Sequence, residues 1–532
     1  MMLPIASKPR GSSGCVVTEP RAWPRSPPGV RRLKSPMTTP KLAILLIATA
    51  LQPVARADTP APTFAVAVDR KPVELHGFLQ GDFGLFEQRG PVDVEIRAPF
   101  NIRWVDVRPK SLGINPSIGS DHRSVRFRLS APFPVTVEFN DDLAKVLHLF
   151  AYEPEKSPPL PDAPNVRYFG SGVHEAGLMD LADGETLYLA PGAWVKGRVR
   201  SVGTHGVSIR GRGVLDGTGS EPSPQWADSA SSSEPSPGEG RSSQARAAAY
   251  GMGKENMIYL KNTVGAQIEG ITLFNSPGWT LVDRGTRGTR IEGIRILNPS
   301  NNYGDDGIDI VSSSDFAVEG AFIRTNDDCV VVKNLDDVPT HDIRVRRCVL
   351  WNMPTGGNAL EIGFELGHTP VSRIRFEDID IIHVQRGSAL SIHCGDSGLL
   401  EDVTYNDIRV EDVRRKLIDF CVLYAQYGLD IPATEQQTAK RLDVGGAWDG
   451  ELSFPKDEAL AVARNRGHVR NVTVSNLAVL EGSLPYSIVS GFDAQHAVEG
   501  VTVSGLTYQG RPVRRLTDGR FTLEFAPGFE LK

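Results

Sequence analysis

Residues 301–333 read NNYGDDGIDIVSSSDFAVEGAFIRTNDDCVVVK, and they contain two acidic turns that each run directly into a short β-type strand. Residues 306–310 (DGIDI) align with residues 328–332 (DCVVV), and the same register continues into residues 358–362 (NALEI) and 388–392 (SALSI). The successive offsets are 22, 30 and 30 residues. A repeat of this length is typical of a solenoid. We therefore expect these segments, and their acidic turns, to stack on one another.

A second repeated phrase extends the pattern along the chain. Similar phrases (IEGI, IEGI, VEGA, VRRC, FEDI, YNDI, VSNL, VSGL) begin at Ile268, Ile291, Val318, Val345, Phe376, Tyr405, Val474 and Val503. Short β-branched runs and Gly/Asn/Asp turns fill the intervals, which predicts one coil of a right-handed parallel β-helix per repeat, over residues 166–510. A gap of 69 residues after Tyr405 predicts an insertion at 414–466, and the Ser/Pro/Glu/Gly-rich residues 221–248 predict another.

The chain before the repeats has a different period. Alternating apolar and polar residues at 92–96, 102–107, 125–129 and 135–139 predict short antiparallel strands, hence a small β-sandwich over residues 58–155. A proline-rich linker is expected at 156–165, and residues 511–532 are left as a C-terminal tail. The predicted fold class is thus all-β, a small antiparallel β-sandwich followed by a right-handed parallel β-helix.

The first 57 residues have the features of a leader and signal peptide. Met37 is followed by a basic residue, by the apolar run 42–51 and by Ala55-Arg56-Ala57, a small-x-small cleavage site. We expect the mature chain to begin near Asp58 and the protein to be exported, periplasmic or extracellular. A membrane anchor is the alternative, but ten apolar residues are short for a span. No membrane span after signal removal and a monomeric protein are expected.

Charge and cysteine content exclude several classes of partner. Residues 1–57 hold nine of the 58 Lys/Arg and one of the 64 Asp/Glu, which leaves 49 basic and 63 acidic side chains and a net charge of −14. Such a balance disfavours nucleic acid. The cysteines after the leader, at 329, 348, 394 and 421, are expected to be buried free thiols. Their spacing matches no zinc site, so no metal and no cofactor are predicted.

Strand geometry assigns the faces of the repeated strands. Ile308, Val330, Leu360 and Leu390 form one column, and the residues two positions later form another, so both columns should point inward. The outward columns then hold Asp309, Val331, Glu361 and Ser391, followed by Val311, Lys333, Gly363 and His393. Asp305, Asp306, Asp327 and Asp328 lie at the preceding bends.

Two carboxylate pairs one coil apart need an explanation, because like charges this close oppose folding and raise one another's pKa. An Asp can satisfy the amides of a turn, which is the ordinary structural role. A raised pKa beside an ionised carboxylate is also how a protein makes a general acid and a general base. Hydrolysis of a glycosidic bond needs that combination.

The order of the motifs resembles a known family. Asn275-Ser276-Pro277-Gly278-Trp279 is followed by Asp306-Gly307 and then by Asn326-Asp327-Asp328-Cys329. This resembles the polygalacturonases, inverting glycoside hydrolases of family 28, over about residues 211–413. The β-sandwich ahead of the β-helix resembles the dextranase and isopullulanase group, family 49. The resemblance implies that Asp327 is the general acid and that Asp306 and Asp328 activate the water.

Departures from the family pattern bear on the substrate. Gly304 replaces the Asn of the N-x-D-G phrase, Gly357-Asn358-Ala359 replaces Gly-His-Gly, and Ser391-Ile392-His393 replaces Arg-Ile-Lys. The two cations expected for a uronate are thus absent at the matching positions. We therefore predict a polysaccharide-degrading hydrolase for a neutral or non-homogalacturonan glycan, with His393 able to bind uronates only when protonated. The candidate substrate-binding residues are Asp305, Asp309, Lys333, Asn358, Glu361 and His393, whereas Glu365 and His368 are expected to be ordinary loop residues.

Two other classes of function remain open. A polysaccharide lyase uses an acidic cluster on a β-helix to hold Ca²⁺, which takes six to eight oxygen ligands. It also needs a basic residue on the carboxylate of the uronate, and only Lys333 is in register for that role. A non-catalytic glycan-binding β-helix needs no reaction at all. Loss of activity in EDTA or an unsaturated product would indicate the lyase, and any turnover excludes the binding module.

Overall fold

The computed structural model describes residues 60–218, 256–298, 304–354, 356–423 and 466–532. The signal-peptide prediction and the insertion predicted at 221–248 therefore lie outside the described residues. Within those ranges, no helix is both long enough and apolar enough to cross a membrane.

The N-terminal part of the described chain is a sandwich of two five-stranded sheets. One sheet has the order β2-β1-β5-β8-β7 and the other the order β3-β4-β10-β9-β6. A short 3-10 turn, Lys110–Leu112, follows β6. The strands are β1 (Ala65–Val68), β2 (Lys71–Val73), β3 (Leu75–Phe78), β4 (Gly81–Glu87), β5 (Val92–Arg97), β6 (Val105–Arg108), β7 (Ser117–Ile118), β8 (Ser124–Leu129), β9 (Pro134–Phe139) and β10 (Val146–Tyr152).

The sandwich departs from the predicted antiparallel pattern at β10, which pairs with β4 in parallel. Strand β10 is buried on both faces. Leu147 and Leu149 belong to the sandwich core, whereas Val146 and Phe150 pack with residues of the β-helix such as Trp351. Because both faces are covered, all residues from Val146 to Ala151 except His148 are apolar, and the strand lacks the alternation from which β5, β6, β8 and β9 were predicted.

The rest of the described chain forms a β-helix of thirty strands. They are β11 (Val166–Phe169), β12 (Gly172–Asp180), β13 (Thr186–Leu189), β14 (Ala193–Val202), β15 (Ser208–Gly211), β16 (Val214–Asp216), β17 (Ile258–Lys261), β18 (Gln267–Glu269), β19 (Thr272–Phe274), β20 (Leu281–Arg284), β21 (Arg290–Glu292), β22 (Arg295–Leu297), β23 (Ile308–Val311), β24 (Ser314–Glu319), β25 (Phe322–Thr325), β26 (Val330–Asn334), β27 (Thr340–Arg346), β28 (Val349–Asn352), β29 (Leu360–Leu366), β30 (Val371–Val384), β31 (Ser388–Cys394), β32 (Leu399–Val413), β33 (Lys416–Val422), β34 (His468–Val479), β35 (Tyr486–Ser490), β36 (Val498–Ser504), β37 (Thr507–Tyr508), β38 (Arg511–Pro512), β39 (Phe521–Glu524) and β40 (Glu530–Leu531).

Apart from the short antiparallel pair β37–β38, the described strands of the solenoid pair in parallel with the equivalent strand of the next coil, so the coils stack into a right-handed parallel β-helix. The face that carries the carboxylates runs β20, β23, β26, β29, β31, β33 and β35. The register predicted from the sequence is confirmed for the two inward columns and for the first outward column, whereas the second outward column breaks between Lys333 and Gly363, where the register of β26 and β29 shifts. Ile308, Val330, Leu360 and Leu390 are successive partners, and so are Asp309, Val331, Glu361 and Ser391. Members of the inward columns are fully buried in one continuous core.

Two boundaries differ from the prediction. Strand β33 lies inside the insertion predicted at 414–466, yet it pairs with β31 and β35 and is one more coil of the solenoid. Residues 511–532, set apart as a tail, contribute β39 and β40, which pair with β35 and β36. Cys329, Cys348, Cys394 and Cys421 are buried free thiols, as predicted.

Candidate active site

The candidate site lies at one bend of the solenoid, where the chain of several successive coils enters the strands of the carboxylate face. A cavity of about 160 Å³ opens there. Residues that precede or begin β20, β23, β26, β29 and β31 contribute to its wall. The lining residues are Trp279, Asp306, Asp327, Asp328, Lys333, Gly356, Gly357, Asn358, Gly363, Phe364, Glu365, Arg386 and Gly387. The three aspartates predicted to be catalytic therefore share one cavity.

Lys333 is the buried cation of this cavity. Its Nζ lies 3.1 Å from Oδ2 of Asp306 and 3.0 Å from Oδ1 of Asp309, and it sits 3.6 Å from the centre of the Trp279 ring. Burial opposes the charge on Lys333, but the carboxylates of Asp306 and Asp309 outweigh this effect and raise its pKa well above the usual range. Asp309 is fully buried and does not line the cavity. It is therefore positioned as a counter-ion of Lys333, and the prediction that it contacts the sugar does not match this position.

Asp327 lies half-buried in the cavity wall and accepts two backbone hydrogen bonds. Asp328 N donates to Oδ1 at 3.0 Å, and Gly304 N donates to Oδ2 at 3.1 Å. Burial and the nearby carboxylate of Asp306 raise the pKa of Asp327 to about 7. A carboxyl group that keeps its proton near neutral pH is suited to protonate a leaving oxygen. Gly304, which replaces the Asn of the N-x-D-G phrase, thus contributes a backbone amide to the site in place of a side chain.

Asp328 is held by the next coil. Asn358 donates from its backbone N at 2.6 Å and from Nδ2 at 3.1 Å, both to Oδ1 of Asp328. Burial and the carboxylate of Asp327 raise the pKa of Asp328. Gly357 permits this close approach, because its φ is +70° and a Cβ there would lie 2.2 Å from the carbonyl carbon of Asp327. The structure thus places Asn358 in the cavity wall, where it orients Asp328.

Asp305 serves the turn. Its Oδ1 accepts from the backbone N of Asn326 and of Asp327, each at 3.0 Å, and its Oδ2 accepts from Asn326 Nδ2 at 2.8 Å. The residue is fully buried and does not line the cavity. Burial raises the pKa of Asp305 to about 8. Asp305 is therefore a cap that fixes the backbone of the catalytic turn, and the sequence-based assignment to substrate binding does not match its position.

Glu361 and His393, which were predicted to bind substrate, form a buried ionic cluster and do not line the cavity. His393 Nδ1 is 3.0 Å from both oxygens of Glu361, and Nε2 is 2.8 Å from Oδ2 of Asp419. The Phe364 ring stacks on the imidazole at 4.5 Å, and neither Glu361 nor His393 lines the cavity. Burial disfavours the imidazolium, but the two flanking carboxylates outweigh it and raise the pKa of His393 to about 9. The raised pKa favours the imidazolium at neutral pH, and its charge is already paired with the two carboxylates, so this position does not support the expectation that protonation of His393 allows uronate binding.

Trp279, Phe364, Glu365 and Arg386 line the cavity but were not among the predicted site residues, and the expectation that Glu365 is an ordinary loop residue does not match its position. Between Ile362 and Leu366 strand β29 has two residues more than the matching part of β26, and this bulge brings Phe364 and Glu365 to the cavity. Arg386 enters from the bend before β31. No signal in the sequence marked the bulge, because the 30-residue offset continues without a break from Ile362 to Ile392. Arg386 does sit in the same bend as the aspartates of earlier coils, a position that offered a clue.

Comparison with known proteins supports the resemblance in the part of the chain that holds this cavity. Residues 190–444 match the model of the glycosyl hydrolases of family 28. A polygalacturonase of Juniperus ashei is 25% identical over 220 residues, which is 40% of this chain and 38% of that protein. A probable polygalacturonase of Vitis vinifera is 30% identical over 154 residues, 28% of this chain and 31% of that protein. The chain thus spans less than half the length of these relatives.

A solved structure extends the likeness to most of the fold. Dex49A from Penicillium minioluteum superposes with a TM-score of 0.55 and covers 85% of this chain and 83% of its own, at 15% sequence identity. At that identity the likeness concerns the fold alone. In sequence the chain is polygalacturonase-like and resembles the glycosyl hydrolases of family 28 over the coils that carry the three aspartates, with the family 49 protein Dex49A as a relative in fold.

Proposed function

We propose that the protein is an inverting glycoside hydrolase that cleaves glycosidic bonds in a polysaccharide or oligosaccharide. One observation carries the proposal: Asp306, Asp327 and Asp328, from two adjacent coils, line the same cavity, and their surroundings differ. Asp306 has an ammonium group 3.1 Å away, whereas Asp327 has no cation that close among the described residues and has a raised pKa. Glycoside hydrolysis requires a general acid and a general base, and two carboxyl groups can take these roles when their surroundings differ.

In the proposed reaction the Asp327 carboxyl gives its proton to the glycosidic oxygen, and the bond from that oxygen to the anomeric carbon breaks. A water molecule attacks the anomeric carbon from the opposite face, and its proton passes to the carboxylate side formed by Asp306 and Asp328. Asp306 is assigned as the acceptor, because it lines the cavity with Lys333 Nζ 3.1 Å from its Oδ2, which distinguishes it from Asp327. Asn358 would hold Asp328 in place beside the water.

The charges around the cavity favour a neutral or sparsely charged glycan. Four carboxyl groups, those of Asp306, Asp327, Asp328 and Glu365, line it, together with the two cations Lys333 and Arg386. Lys333 is engaged with Asp306 and Asp309. A uronate carboxylate brought out of water would therefore lie among four acidic side chains, with Lys333 already paired, and an uncompensated charge in such a site is heavily penalised.

The protein is proposed to act outside the cytoplasm, on the evidence of the signal-like residues 37–57. A secreted enzyme that degrades polysaccharides needs no membrane span of its own. A monomer is sufficient, because all the residues assigned to the reaction come from one chain.

Incubation of the pure protein with a panel of plant and microbial polysaccharides tests the proposal. The Asp327→Asn variant serves as the matched control. The expected result is release of saturated sugars by the wild type, unaffected by EDTA and lost in the variant. Unsaturated products or loss of activity in EDTA would indicate a lyase. Binding without any turnover would leave a glycan-binding β-helix.

A further inference from the structure

The two-residue bulge of β29 changes the wall of the catalytic cavity. Residues 363–365 stand opposite Lys333 alone, whereas β29 pairs with β31 without a shift from Leu360–Leu390 to Phe364–Cys394. Gly363 makes the bulge possible, because its φ is +132° and a Cβ there would lie 2.1 Å from the carbonyl oxygen of His393. Any other residue at this position would push the bulge away from β31. The bulge is thus a built feature of the cavity.

The bulge places two side chains with different tasks. Phe364 covers the buried pair of His393 and Glu361 by stacking on the imidazole, with the two rings 12° from parallel. Glu365 lines the cavity together with Lys333 and Asp306, and its side chain is buried, at 5% exposure.

The electrostatic setting of Glu365 is that of a carboxyl group facing a shared cation. Burial raises the pKa of Glu365 above its usual value, and the Lys333 ammonium offsets only part of this rise. Lys333 in turn faces Asp306, Asp309 and Asp328 as well as Glu365. The single charge of Lys333 therefore interacts with four carboxyl groups of the protein, so Lys333 attracts an anionic ligand only weakly.

We propose that Glu365 is the specificity-determining residue of this cavity: it accepts hydrogen bonds from sugar hydroxyls and repels a sugar that bears a carboxylate. This inference rests on the proposed function and names its substrate class, a glycan whose bound ring is neutral. A buried carboxylate that accepts from hydroxyl donors binds a neutral sugar well. The same carboxylate a few ångströms from a uronate leaves two like charges in a poorly hydrated site, which selects against that ring.

The test uses two pairs of substrates that differ in their carboxyl groups: polygalacturonate with its methyl ester, and carboxymethyl dextran with dextran. The Glu365→Gln variant keeps the shape and the hydrogen-bonding ability of the side chain but removes its charge. We expect the ratio of kcat/KM for the acidic member to kcat/KM for the neutral member to rise at least tenfold. Glu292→Gln is the matched control and should leave the ratio unchanged, because Glu292 is an exposed residue at the end of strand β21 and does not line the cavity.

Two further measurements keep the outcome decisive. Glu365→Asp retains the charge, and it should therefore keep the preference for the neutral member even if total activity falls. Binding to the Asp327→Asn variant, with and without Glu365→Gln, is measured by calorimetry and needs no turnover. A ratio within twofold of the wild type in Glu365→Gln overturns this inference and leaves the hydrolase proposal intact. Absence of both turnover and binding for all four polymers refutes both proposals.

Discussion

Replacing Lys333 by Met should destabilise the protein strongly. The ammonium group forms ion pairs at 3.0 and 3.1 Å with Asp309 and Asp306, and all three side chains are at most 6% exposed. Removing one partner of such a buried pair leaves uncompensated charge, which typically costs about 3–5 kcal/mol. We expect a loss of free energy of unfolding in this range at neutral pH, measured by urea denaturation with tryptophan fluorescence and far-ultraviolet circular dichroism.

The loss should depend on pH with a definite sign. Burial raises the pKa of Asp309 even with Lys333 present, and without the ammonium group the carboxyl will hold its proton more tightly still. A carboxyl whose pKa is raised in the folded state binds more protons folded than unfolded. Its contribution to stability is therefore greatest at low pH and is lost as the pH rises through the folded-state pKa. The Lys333→Met variant should be closer to wild type at pH 5 than at pH 8.

Two comparison variants isolate the cause. Lys196 forms an ion pair with Glu175 at 2.8 Å, but both side chains are much more exposed, at 28% and 72%. Lys196→Met should therefore cost less than about 1 kcal/mol. Adding Asp309→Asn to Lys333→Met should recover part of the loss, because one orphaned carboxylate is removed. Equal losses for Lys333→Met and Lys196→Met, or a loss that does not change with pH, would refute the electrostatic account.

Further predictions concern catalysis and export. Asp327→Asn should reduce turnover roughly 100- to 10,000-fold with an unchanged β-rich spectrum; retention of a tenth of the activity would reject Asp327 as the acid. Because the general acid must carry its proton and the pKa of Asp327 is raised to about 7, kcat/KM should fall as the pH rises above about 7; a rate that keeps increasing at higher pH would contradict this. Proton NMR of the first product should show inverted anomeric configuration, as expected when the acid and base carboxyls stand about 6.5–9.5 Å apart, and net retention would overturn the mechanism. N-terminal sequencing of exported protein should give a start near Asp58; a mature chain that retains residues 1–36 would be inconsistent with it.

Properties that depend on periodic order along the chain were predictable from the sequence. The alternation of inward and outward residues has a period of two, so aligning Ile308 with Val330 was enough to pair Asp309 with Val331 and to bring Asp306 and Asp328 to one bend. The same reasoning predicted β5, β6, β8 and β9 of the sandwich but not its other six strands. It failed at β10, because a strand covered on both faces carries no alternation.

The partners of the polar residues were decided by the tertiary structure. An outward position on a strand does not reveal whether a neighbouring coil will cover it. Phe364, carried by a bulge that no sequence period marks, covers His393, and Asp419 from the following coil keeps that histidine charged. Glu365 entered the cavity for the same reason. Burial and the pKa of a side chain depend on which distant groups surround it, and such contacts have no fixed separation along the chain from which they could be inferred.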